Sequence, residues 1–230
     1  MQNKHYSETM TRPIQLTDAD NPLDIRYDNI FKAVFTKETP ASRGALSGLI
    51  SALIERRVTV EIITANEPSV EDTRERNIRF DISCRAESGE QINIEMCFNP
   101  NPNEHERLEY FAAKLFIHQS IRGINKSYSD LKESYQIAIL DKEKFFPDDV
   151  LVHTFQYYDP VHGIPLNGKT RIITVELLKT ESIVDKSVSE MGASELWSWL
   201  KISFHADFKR GVFSLKKLQL KQTNSGIHAA

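Results

Sequence analysis

Asp81 and Glu95 are two carboxylates placed to hold a metal ion between neighbouring strands. They lie in two alternating segments, residues 78–85 and 91–97, separated by a turn that contains Gly89. Side chains in a strand repeat every second residue. Ile78, Phe80, Ile82 and Cys84 therefore form one apolar set, and Ile92, Ile94 and Met96 another. The opposite face carries Arg79, Asp81, Ser83 and Arg85 on one arm, and Gln91, Asn93, Glu95 and Cys97 on the other. If both apolar sets meet the same core, Asp81 and Glu95 share the polar face. Adjacent carboxylates repel, and burial raises the cost. A divalent cation held between them removes the conflict.

The turn decides whether the two acids meet. A two-residue loop at Ser88-Gly89 sets Asp81 opposite Met96, with its side chain on the wrong face. A three-residue loop over Glu87-Ser88-Gly89, with Gly89 left-handed, sets Asp81 opposite Glu95. Directly opposed residues have Cβ atoms about 4.5–5.5 Å apart, close enough to share an ion. The plainer alternative is a half-exposed hairpin with ordinary surface acids.

The rest of the chain must position this hairpin. At 230 residues it fits one domain. The expected division is an arm over 1–21, a domain over 22–210 and an extension over 211–230 with a disordered end. A content of 40% hydrophobic and 27% charged residues is ordinary for a soluble globular protein and points away from a disordered or fibrous chain. The net charge of −3 neither advertises nor excludes a nucleic-acid binder, because a local basic groove can coexist with an acidic whole. Cys84 and Cys97 are too few for a disulfide framework and fall on opposite strand faces. No apolar run approaches about 18 residues, and the polar N-terminus has no signal-peptide core. A cytoplasmic protein with no membrane contact is the expectation.

Helical spacing of Ile30, Phe31, Val34 and Phe35 follows Pro22, and a second helix starts near Pro40 and runs to Arg56-Arg57. A short strand covers 59–64, and 66–77 is charged and irregular. After the hairpin, Asn99-Pro100-Asn101-Pro102-Asn103 breaks the chain, and a long helix runs from Glu104 to Arg122 with Gly123 as its stop. Residues 135–140 form a nearly continuous apolar strand, the pattern of a strand covered on both faces. Strands over 151–158 and 171–177 are joined through the Gly163–Gly168 turn region, and a helix with Leu196, Trp197, Trp199, Leu200 and Phe204 closes the core. The fold class is α/β, a central mixed β-sheet flanked by helices on both faces.

These residues resemble the PD-(D/E)XK nuclease superfamily, and more closely its bacterial recombination-promoting nuclease and transposase family. The opening Asp28-Asn29-Ile30-Phe31-Lys32-Ala33-Val34-Phe35 is similar to that family's D-x-x-F-K-x-x-F helix. Asp81-Ile82, the glycine turn and Asn93-Ile94-Glu95-Met96 are similar to its acidic hairpin. Arg107, Tyr110, Gly123 and Tyr128 match its R-x-x-Y helix and the following turn, residues 135–140 its central strand, and 175–179 its late E-L-x-K strand. The resemblance implies a restriction-endonuclease-like core and hydrolysis of DNA phosphodiesters with Mg2+ or Mn2+. It implies Asp81, Glu95 and the Met96 carbonyl as metal ligands, with Asp28 reaching the same site. It also implies a homodimer in which each subunit cuts one strand.

One position departs from the pattern. Where the superfamily places lysine, and this family glutamine, the chain has Cys97, a poor hydrogen-bond donor. Cys97 reads either as a soft extra ligand or as a small filler. Lys114 is the first candidate to replace the lysine and Lys32 the second; both also read as surface lysines. Asp28 reads equally as a helix pair with Lys32, worth about 0.3–0.5 kcal/mol. Arg107 and Tyr110 brace the acids or touch DNA, or Arg107 pairs with Glu104 or Glu106. The seven histidines show no zinc spacing. Two functions follow: a metal-dependent DNA endonuclease, or a DNA-binding or protein-interaction module that kept the fold and lost the chemistry.

Overall fold

Thr39 and Pro40 show how local sequence sets the elements. The Thr39 hydroxyl accepts the Ser42 N–H at 3.2 Å, and Pro40 occupies the first helical turn, where its missing N–H is no loss. The computed structural model describes residues 26–64, 80–119, 121 and 127–179. Its elements are α1 (Asp28–Phe35), α2 (Pro40–Ile54), β1 (Val60–Ile63), β2 (Ile82–Ala86), β3 (Gln91–Cys97), α3 (Glu104–Ile117), β4 (Ser134–Leu140), β5 (Val152–Phe155) and β6 (Thr170–Glu176). A 3-10 turn covers Tyr128–Asp130.

The strands form one six-stranded sheet in the order β1-β2-β3-β4-β6-β5. β3, β4 and β6 are mutually parallel, and the remaining pairs are antiparallel. The sheet is therefore mixed, as expected. Parallel neighbours need a crossover, and α3 supplies it between β3 and β4.

Helices cover both faces. On one face Ile82, Ile94, Ile137, Ile139 and Val175 join a single core with Phe31 and Phe35 of α1 and Leu46, Leu49 and Ile50 of α2. On the other, α3 lays Leu108 against Cys97, Ala138 and Leu140. The small Ala138 side chain lets α3 come close to the sheet. β4 is buried along its whole length, as its apolar run predicts.

Four expectations need adjustment. The hairpin's first arm is a strand from Ile82, so the described residues Phe80 and Asp81 lie before it; the expected start at residue 78 falls outside the described residues. The backbone bends at Asp81, so Phe80 leaves the Ile82 face and packs edge-on against Phe111 of α3, 5.5 Å between centroids. Much of the hairpin's polar face is buried as well, because α3 lies over it: Ser83, Asn93, Glu95 and Cys97 are enclosed with Gln136 of β4, while Arg85 stays exposed. Finally, α3 stops at Ile117, not Arg122. The Gln119 side chain turns away to bond the backbone of Lys132, donating to its carbonyl at 2.9 Å and accepting its N–H at 2.7 Å. Those bonds tie the helix end to the entry of β4 in place of another helical turn. The expected arm, the helix around Trp197 and the C-terminal extension lie outside the described residues.

Candidate active site

Gly89 sets the register of the acidic hairpin. It adopts φ +96°, a conformation that L side chains rarely take. The Gly89 N–H donates to the Ala86 carbonyl at 2.8 Å, and the Ala86 N–H to the Glu90 carbonyl at 3.0 Å. This closes a three-residue loop, so Ile82 faces Ile94 and Cys84 faces Ile92. One step further along, Asp81 comes beside Glu95.

The two acids are tied crosswise. The Asp81 N–H donates to Glu95 Oε1 at 3.1 Å, and the Met96 N–H donates to Asp81 Oδ2 at 3.0 Å. A strand residue points its N–H and C=O to the same side. The Met96 carbonyl therefore points toward the Asp81 side of β3, where it can join the two carboxylates. Asn93 Nδ2 donates to Glu95 Oε1 at 2.9 Å. Burial, and then the neighbouring Asp81 charge, push the Glu95 carboxyl up to about 7; the bonds from Asn93 and the Asp81 N–H and the Arg107 charge act against this. This is an electron-rich, water-poor pair of acids, the donor set that suits a hard divalent cation.

Cations surround the pair from two elements. Lys32 of α1 lies 2.8 Å from Asp81 Oδ1 and 2.9 Å from the Asp28 carboxylate. Asp28 thus pairs with Lys32 within the helix, the plainer of its two readings, and that same lysine contacts Asp81. Burial pulls the Lys32 ammonium down, but its bonds to Asp81 and Asp28 hold it above its ordinary value. From α3, Arg107 Nη2 lies 3.3 Å from Glu95 Oε2, and its Nε donates to Glu104 at 2.8 Å. Arg107 both pairs at the helix start and braces an acid.

Of the two lysine candidates, Lys32 is the one found in contact with Asp81. Lys114 lies two turns along α3 from Arg107, its ammonium 5.8 Å from the centroid of the half-exposed Tyr110 ring. Cys97 is buried among charges: its Sγ lies 3.4 Å from Glu104 Oε1 and 3.4 Å from Arg107 Nη2. Burial, followed by the Glu104 charge, pushes its thiol far up, so it stays protonated and inert. Cys84 and Cys97 belong to separate cores on opposite sheet faces, and both are free thiols, as the alternation predicts.

Two further sets of acids lie at the same end of the sheet; the sequence pairs Glu104 with Arg107 but announces neither set as part of a site. Glu104 is buried beside Cys97 and receives bonds from Arg107 and Asn101. Across the sheet, Asp148, His153 and Glu176 bring ligand atoms within 4.8 Å of one another. Glu176 sits in the E-L-x-K stretch, and His153 and Asp148 come from β5 and the loop before it, so no sequence spacing announces the trio. Lys179 fills much of its charge demand by pairing with Glu176 and, at 3.0 Å, with Asp148. Glu176 also accepts the Phe145 N–H at 2.7 Å, which fixes the loop after β4. In open α/β sheets, ligands gather at the carboxyl ends of parallel strands, and Glu95, Asp141 and Glu176 mark those ends here.

Among the described residues no helix is long and apolar enough to cross a membrane. No curated protein and no solved structure matches the chain. The family model described as PD-(D/E)XK nuclease family transposase matches residues 25–228. That span holds α1, the acidic hairpin, α3 and the late E-L-x-K stretch. A mixed sheet with helices on both faces, carrying one acid on its third strand and the other just before its second, is the restriction-endonuclease-like core that such a match demands, and the chain belongs to the PD-(D/E)XK nuclease family transposases.

Proposed function

We propose that this protein is a divalent-metal-dependent endonuclease that hydrolyses DNA phosphodiesters in recombination or transposition. The observation that carries the reading is the crosswise tie between Asp81 and Glu95, which holds two carboxylates together inside a water-poor site. Asp81, Glu95 and the Met96 carbonyl would hold Mg2+ or Mn2+. Bound there, the ion supplies a Lewis acid for the scissile phosphate and lowers the pKa of a bound water. Lys32 sits against Asp81 and is the group available to orient water or balance charge on the phosphate. Asp28 holds Lys32 from the other side, and Arg107 fixes the orientation of Glu95. Among the described residues no base-reading element is evident, and the reading includes little base specificity. Two subunits, each cutting one strand, complete it.

A second reading draws on Cys97. A buried, protonated thiol held against Glu104 gives the site no donor where the superfamily has lysine. On that reading the protein binds DNA or another protein without cutting. Plasmid nicking with Mg2+ or Mn2+ separates the two. Cleavage abolished by both Asp81→Ala and Glu95→Ala supports the endonuclease; DNA binding with no cleavage under any metal supports the second reading.

A further inference from the structure

The run from Tyr135 to Leu140 in β4 is apolar or aromatic at every position but Gln136, and Gln136 is fully buried. Burying a side-chain amide is costly unless its hydrogen bonds are made. An apolar residue would complete the strand, so the amide needs another reason. The neighbouring strand supplies one. Asn93 of β3 is paired with Gln136 in the parallel register, and both side chains stand on the face of Cys97 and Ala138, which α3 covers. Asn93 Nδ2 donates to Glu95 Oε1 at 2.9 Å and to Gln136 Oε1 at 2.8 Å. A side-chain amide has two hydrogens to give, so both are engaged and the plane of the Asn93 amide is fixed.

This row of amides is not cheap. Asn93 Oδ1 and Gln136 Nε2 are buried and have no partner among the described residues. Turning both amides over would keep a bond between them, from Gln136 Nε2 to Asn93 Oδ1. It would also set Asn93 Oδ1 against Glu95 Oε1, acceptor against acceptor. The Glu95 carboxylate therefore decides which way Asn93 faces, and Gln136 must offer its carbonyl to match. Buried polar groups left unpaired beside a carboxylate with chemistry to do point to a role beyond packing.

The effect falls on Glu95. Its Oε1 accepts from the Asp81 N–H and from Asn93, and its Oε2 faces Arg107 at 3.3 Å. With Asn93 in place, the carboxylate cannot turn about its last bond without giving up a donor. Outer partners of this kind orient metal-ligating carboxylates, and removing one typically costs about 10–100-fold in metal affinity or activity.

We propose that Gln136 is a positioning residue for Glu95 that acts through Asn93: its carbonyl holds the Asn93 amide in the one orientation that donates to the carboxylate. This deepens the proposed function and rests on its reading that Asp81 and Glu95 hold the ion.

Calorimetric titration of the full chain with Mn2+ tests it, with circular dichroism and thermal unfolding as the check on fold. Gln136→Leu is expected to stay folded and to bind Mn2+ about 10-fold more weakly than wild type. Asn93→Leu is expected to bind at least as weakly. The double variant is expected to bind no more weakly than Asn93→Leu alone, because Gln136 reaches Glu95 only through Asn93. A purely structural glutamine would change thermal unfolding and leave the affinity alone. Wild-type affinity in folded Gln136→Leu, or a double variant in which the two losses multiply, overturns the inference. A measurement on wild type needs no variant. Mg2+ is expected to shift the side-chain amide signals of both Asn93 and Gln136 in proton–nitrogen correlation spectra. A Gln136 signal that stays put while Mg2+ binds overturns the inference. Wild type that binds neither ion overturns the proposed function and this inference with it, whereas wild type that binds Mn2+ no better than the variants overturns the inference alone.

Discussion

The Asp81 N–H donates to the Glu95 carboxylate at 3.1 Å, and that bond makes the hairpin's register and the acid pair a single feature. A slip of one residue in pairing would send Asp81 to the other face of the sheet. Whatever fixes the turn therefore fixes the site.

Gly89→Ala tests that dependence. The backbone at φ +96° disfavours any side chain, and a Cβ there meets Lys132 Cγ at 3.2 Å. The expected loss is about 1–3 kcal/mol, or several degrees in Tm by thermal unfolding. Metal affinity, read by calorimetry, is expected to fall with it. Unchanged affinity in a destabilised variant would separate the turn from the site.

Glu95 makes stability depend on pH. Its folded carboxyl titrates at about 7, above an ordinary value of 4.5. Below about 4.5 both folded and unfolded chains hold the proton. Between 4.5 and 7 the folded chain holds it and the unfolded chain does not, so stability falls as pH rises across that window. The contribution is on the order of 3 kcal/mol and is lost above about pH 7. Glu95→Gln should remove this slope and unfold at a higher temperature than wild type at pH 8, while losing cleavage. Parallel stability curves for the two proteins between pH 5 and 8 would contradict it.

The same proton must leave when an ion binds. Affinity for Mn2+ is expected to weaken by up to about tenfold for each pH unit below 7, with close to one proton released per ion at pH 6. Titration calorimetry in two buffers of different ionisation enthalpy measures the release. A pH-independent affinity would place the ion away from Glu95.

Lys32, second to Lys114 from the sequence, is the lysine that the structure sets against Asp81. Lys32→Gln removes the ammonium 2.8 Å from Asp81 and is expected to lower cleavage by about 10²–10³-fold. Lys114→Gln should leave cleavage near the wild-type rate. The opposite order in single-turnover assays would restore Lys114 as the catalytic lysine.

The hairpin was legible because its determinants are local: strict alternation, a three-residue loop and one glycine. The central strand was legible because seven consecutive residues are buried. What was not legible depends on packing between distant segments. Nothing within 91–97 tells that α3 lies over Asn93 and Glu95, which turns an apparent polar surface into an interior and lifts the Glu95 carboxyl. Lys32 reaches Asp81 across 49 positions, and only the docking of α1 on the sheet creates that contact. The end of α3 was misplaced because residues 118–122 favour helix locally, while Gln119 is drawn to the backbone of Lys132. Asp148, His153 and Glu176 meet only once β5 pairs with β6.

Crystals soaked in Mn2+ show where an ion binds. The account predicts an anomalous peak bridging the carboxylates of Asp81 and Glu95 and the Met96 carbonyl, absent from Asp81→Asn crystals. A peak confined to Asp148, His153 and Glu176, or no peak with both acid sites accessible to the soak, would contradict it.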